Sequence, residues 1–153
     1  MSLAIALHML AAVVWVGGMF FAYVVLRPTA VELFQSPERL RLWLRVFERF
    51  FPWVKVAIVL LLVTGFWVIH GLGGFANVGW HVHLMLTLGL IMFAVFGHIN
   101  WASLKKLRNG VIEENWEAAG AALGQIRQLV GLNLILGLIV TAAAAAGRYP
   151  LWS

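Results

Sequence analysis

The chain of 153 residues has no cysteine, which excludes disulfides, thiolate metal sites and iron–sulfur clusters. Charge is nearly as scarce. Asp, Glu, Lys and Arg together make up 11% of the residues, against roughly 25% in an ordinary soluble domain. The N-terminus lacks a basic stretch ahead of a short apolar run, and it lacks a small-residue cleavage site behind one. The first apolar run is therefore read as a retained span and not as a signal peptide. No internal repeat stands out, and the length suffices for one domain only.

Apolar side chains are what the chain has in excess. They account for 63% of the residues, with a mean hydropathy of +0.93. A soluble protein of this size has no interior large enough for them, so the solvent is lipid. Four stretches reach the ~20 residues that cross a hydrocarbon core. They run from about Leu3 to Leu26, Trp53 to Gly71, His81 to Ser103 and Leu129 to Gly147. Lys55 is the one charged side chain inside them, near enough to an end to snorkel.

The net charge of +5 would suggest nucleic acid in a soluble domain; here the distribution points elsewhere. Of the 11 basic residues, all but Arg148 fall in or beside the two links that join spans one to two and three to four. The link from Gly71 to Trp80 carries no charge. Basic links stay in the cytoplasm, which predicts an N-out, C-out protein of a bacterial inner membrane, touching anionic lipid and not nucleic acid. Ser36-Pro37 is a helix-start signal. Beyond it Leu40, Trp43, Leu44, Phe47 and Phe51 fall on one side, with Arg41, Arg45 and Glu48 opposite. This predicts an amphipathic cytoplasmic helix separated from the second span by Pro52. Glu113 to Gln128 is expected to extend the fourth helix. The expected fold is an all-α integral membrane four-helix bundle, a single domain over residues 1–153.

Polar side chains within lipid usually face the bundle interior. Helical spacing puts His8, Ala12, Trp15, Met19 and Ala22 on one face of the first span. It puts His83, Thr87, Leu90, Ala94, His98 and Trp101 on one face of the third, and Asn133, Gly137, Thr141 and Ala144 on one face of the fourth. Thr64 marks the inner face of the second. His8, His70, His81 and His83 gather in the outer layer, and His98 stands alone toward the cytoplasm. Imidazole is the commonest metal ligand and an axial haem ligand. His81 and His83 diverge by about 200° on a helix, and His83 has the better face. His8, His83 and His98 are the candidate ligands, while His70, His81, Met9, Met19 and Met85 are auxiliary. Histidines at an interface more often form hydrogen bonds, and buried methionines more often pack. Asn133 is expected to bond between helices.

The run Leu7-His8-Met9-Leu10-Ala11-Ala12-Val13-Val14-Trp15-Val16-Gly17-Gly18-Met19-Phe20 resembles the opening helix of the copper resistance protein D (CopD) family. Arg27-Pro28, Arg49-Phe50-Phe51-Pro52-Trp53, His81-Val82-His83-Leu84-Met85 and Ile126-Arg127-Gln128-Leu129-Val130-Gly131-Leu132-Asn133 resemble it too. The resemblance implies copper handling near the periplasmic face, with His8, Met9, His83 and Met85 as donors. The first helix is also similar to that of HemJ, the membrane protoporphyrinogen oxidase, which implies b-type haem bound by histidine. His83 and His98 are fifteen residues apart on one face, near the spacing of paired haem ligands in membrane cytochromes. Arg148 would meet the propionates, with Trp80 and Tyr149 flanking them. A cofactor-free scaffold subunit is the third reading. Homodimerisation through small residues such as Gly131 and Gly137, and a periplasmic metal- or electron-transfer partner, fit the first two.

Overall fold

A computed structural model describes residues 1–147. Four long helices account for nearly all of them: α1 (Ser2–Leu33), α2 (Ser36–Gly71), α3 (Trp80–Ile112) and α4 (Trp116–Ala146). Each contains a window apolar enough to cross a membrane, and each runs past that window. Successive helices are antiparallel. α1 packs along α2, α3 packs along α4, and contacts of both α1 and α2 with α4, and of α2 with the end of α3, join the two pairs.

α1 is not uniform. Phe21–Leu26 is π-helical, directly before Arg27-Pro28. Pro28 has no amide proton to donate and its ring crowds the preceding turn, so one wide turn absorbs the mismatch without ending the helix. Ile99–Ser103 in α3 is π-helical as well, with no proline to account for it.

α2 departs from the sequence expectation. The amphipathic stretch and the second span form one continuous helix of 36 residues, with Pro52 inside it. At ~1.5 Å per residue that is about 54 Å, well beyond a ~30 Å hydrocarbon core. A proline in a helix interior costs about 3 kcal/mol. Against this, Leu40, Trp43, Leu44, Phe47, Phe51 and Val54 are all buried by the other helices. Leu40, Trp43, Leu44 and Phe47 stand among charged residues ahead of the second span, where burial takes each out of water and contributes roughly 1.5–3 kcal/mol, so packing outweighs the lost hydrogen bond. The apolar side of this stretch covers protein, not lipid headgroups.

Aromatic rings run through the core as a ladder. Trp43 meets Phe47 at 5.3 Å, Phe47 stacks on Phe51 at 5.1 Å, and Phe51 meets Phe96 of α3 edge-on at 5.1 Å. Trp15 of α1 continues it, 6.3 Å from Phe96 and stacked on Phe93 at 5.6 Å. Such pairs add about 0.5–1.5 kcal/mol each beyond area burial. Glu48 ties α2 to α3 by accepting from both Arg45 (3.4 Å) and Arg108 (3.3 Å). The α3–α4 turn is tight because Gly110 has no side chain: a Cβ there would stand 2.8 Å from the backbone nitrogen of Ala119. Asn115 then caps α4, its side chain accepting from the Ala118 amide at 3.2 Å.

The inner faces follow the expected spacing on three helices. Trp15, Met19 and Ala22 on α1, Thr64 on α2, and Asn133 and Gly137 on α4 are buried, although Thr141 is exposed. On α3 the expectation is reversed. His83, Thr87, Leu90, Ala94, His98 and Trp101 form an exposed stripe, and Met92, Phe96, Ile99 and Ser103 turn inward. The physical reason is volume. Met92 and the ring of Phe96 fill the space against Trp15 and Gly137 of α4.

Candidate functional site

His8 sits on α1 about two turns from its start, where α1 lies against the far end of α2. Its ring is half-buried, with Nδ1 at 2.9 Å from Oγ1 of Thr64. The Thr64 hydroxyl donates its own proton to the backbone carbonyl of Leu60. A hydroxyl has one proton, so toward His8 the oxygen can only accept. Nδ1 therefore carries the imidazole proton, and Nε2 keeps a free lone pair. Gly65 allows this closeness: a Cβ there would already touch His8 Cε1 at 3.4 Å. An oriented imidazole whose far nitrogen is held by a hydrogen bond is the arrangement that metal-binding histidines use.

The other histidines of this end have different surroundings. His81 is half-buried against the end of α4, where a Cβ on Gly147 would stand 2.5 Å from its Cβ. The Trp80 ring stands edge-on to it at 6.2 Å. His83 is exposed, its ring 6.3 Å from that of Phe75 in the α2–α3 link. The choice of His83 over His81 as the inward residue is thus reversed. The signal for His81 was present, because it shares its spacing with Met85, which is half-buried, and Met92, which is buried. His70 is exposed at the end of α2, where its carbonyl accepts from the Gly73 amide at 3.1 Å.

Other expected donors divide clearly. Met9 is 62% exposed and Met19 only 3%, so neither stands beside His8. Met19 lies eleven residues on, about 16 Å along the helix. His98 is exposed next to the π-helical turn of α3, and Trp101 is 73% exposed. A porphyrin held by His83 and His98 would lie against the outside of the bundle. Trp80 is exposed, while Arg148 and Tyr149 lie outside the described residues. Among the described residues no three His, Asp or Glu side chains are grouped so as to share an ion. One copy thus offers one oriented imidazole and a second half-buried histidine at the same end.

Asn133, 1% exposed, bonds between helices as expected, its Nδ2 donating to the carbonyl of Met92 at 3.0 Å. Its Oδ1 has no partner among the described residues.

A family model described as "Copper resistance protein D" matches residues 44–146. The match takes in most of α2 and all of α3 and α4, and leaves α1 with His8 outside it. No curated protein and no solved structure matches the chain.

Proposed function

The chain belongs to the copper resistance protein D family, and from that premise we propose that it handles copper as cargo at the outer end of its bundle, with His8 as the first ligand. A copper-resistance-related, multi-pass membrane protein is what the family and the four apolar helices establish. The single observation behind the finer reading is the His8–Thr64–Leu60 relay, which leaves Nε2 of His8 free. Imidazole nitrogen and thioether sulfur suit copper in either oxidation state. One imidazole is too few for tight retention, and that fits cargo passed on to a periplasmic carrier better than a resident ion. His81 and Met85 on the inner side of α3 are the next donors in this reading; His83 and His98 serve only where a second copy or a partner covers the exposed stripe. The positive links on one side and the uncharged link on the other support N-out, C-out insertion in a bacterial inner membrane.

Equilibrium titration of the purified protein with copper tests this. The wild type is expected to bind copper weakly and reversibly, His8→Ala to lose most of that binding, and His70→Ala to lose little. Equal binding by all three sinks the assignment of His8. A Soret band that shifts on reduction, in a protein free of copper, would replace copper by b-type haem. Neither band nor metal would leave a scaffold subunit.

A further inference from the structure

A second site lies at the opposite end of the bundle. Arg27 is nineteen residues beyond His8 on α1, about 28 Å away along the helix. There α1, the start of α2 and the first half of α4 leave a cleft of about 220 Å³ between them. Three arginines line it, one from each helix: Arg27, Arg39 and Arg127. Arg27 lies over the ring of Tyr23 at 5.2 Å from its centre, and Arg39 reaches the carbonyl of Phe34 at 3.4 Å. None of the three has a carboxylate partner among the described residues, where the ion pairs are those of Glu48. Glu32 and Glu38, the nearest acids in sequence, are exposed and do not line the cleft. The start of α2 has no side-chain cap and Ser36 lines the same space, adding the positive end of a long helix dipole.

The rest of the wall is apolar. Trp43 and Phe47 form one side, and Gly124 leaves an open floor, since a Cβ there would meet nothing within 4 Å. Arg27 follows directly on the apolar part of α1 and Arg127 directly precedes that of α4. The guanidinium groups therefore stand at headgroup level, with the apolar wall continuing toward the hydrocarbon. We propose that this cleft binds an anionic phospholipid, its phosphate lying over Gly124 and held by Arg27, Arg39 and Arg127, with the start of an acyl chain against Phe47 and Val130. Guanidinium forks match phosphate oxygens in pairs. Basic pockets between membrane helices are suited to such headgroups. A free phosphate would satisfy the arginines and leave the apolar wall unused. The cleft lies at the opposite end from the histidines, and lipid binding there needs no copper.

Native mass spectrometry of the full chain in detergent, titrated with phosphatidylglycerol or phosphatidylcholine, reads it directly. Phosphatidylglycerol is expected to bind at least tenfold more tightly than phosphatidylcholine, with inorganic phosphate in excess failing to displace it. Arg27→Gln with Arg127→Gln should weaken it roughly tenfold or more, whereas Arg41→Gln with Lys105→Gln, outside the cleft, should not. Gly124→Leu keeps every charge and improves helix propensity, so it fills the floor without endangering the fold; it should reduce binding by a similar factor. Equal binding of the two lipids, displacement by phosphate, or undiminished binding in Gly124→Leu would each overturn the proposal.

Discussion

The hydroxyl of Thr64 decides what His8 can do. By giving its proton to Leu60 it must accept from His8, and this holds both the tautomer and the ring plane. Thr64→Val keeps the shape and removes the acceptor. In copper-loaded protein, affinity is expected to fall about tenfold to a hundredfold, the range for lost outer partners of metal-bound histidines, and Thr64→Ser should restore most of it. Unchanged affinity in Thr64→Val would mean that the hydroxyl does not orient the ligand. Asn133 is the other decisive polar residue. It makes one hydrogen bond between α4 and α3 and leaves Oδ1 unpartnered among the described residues. Interhelical bonds of this kind average about 0.6 kcal/mol in membrane proteins, so Asn133→Ala should cost only about 1 kcal/mol in a detergent unfolding titration. A loss of about 3 kcal/mol or more would show that Oδ1 has a partner when the protein is at work.

At the scale of elements, α2 carries its amphipathic and spanning parts in one rod. Pro52 is exposed and withholds one helix hydrogen bond, while Phe51 and Val54 on either side are buried. Since the helix continues regardless, Pro52→Ala should restore the bond and leave the melting temperature unchanged or raised. A fall of several degrees would mean that the proline shapes the packing of the aromatic ladder. Gly110 behaves in the opposite way. A side chain there meets the backbone of Ala119, which cannot give way, and Gly110→Val should destabilise by about 1–3 kcal/mol in the same titration. The proline was conspicuous in the sequence and proves tolerated. The glycine was one of 15 and holds the α3–α4 turn together.

For the whole molecule, the antiparallel order brings His8, His70, His81 and His83 to one end and the arginine cleft to the other. Insertion with the histidine end outside requires that the α2–α3 link and the end of α3 lie on opposite sides. The chain has no cysteine, so single cysteines at Ala76 and Asn109, both exposed, can be labelled on a clean background. An impermeant reagent added to intact cells, with the outer membrane permeabilised, should modify the first and spare the second. Modification of both from one side would end the N-out, C-out reading. The exposed stripe of α3 belongs to this scale as well. His83, Thr87 and His98 facing lipid would be costly, and a cover from a second copy would relieve that.

Composition and hydropathy alone determined the solvent, the four spans and their order, because the need to satisfy every backbone group in lipid leaves apolar helices as the available form for such runs. Spacing also identified the buried positions Trp15, Thr64, Asn133 and Gly137, where small or polar side chains meet neighbouring helices. Only the tertiary structure decided which face of α3 turns inward, that His81 and not His83 lies against α4, and that the helix runs through Pro52. The reason is that lipid tails are as apolar as leucine, so hydropathy cannot tell a core-facing side chain from a lipid-facing one. Volume and shape across three helices make that choice. Periodicity within a single helix carries no record of them, and the partner of His8, 56 residues away, was invisible for the same reason.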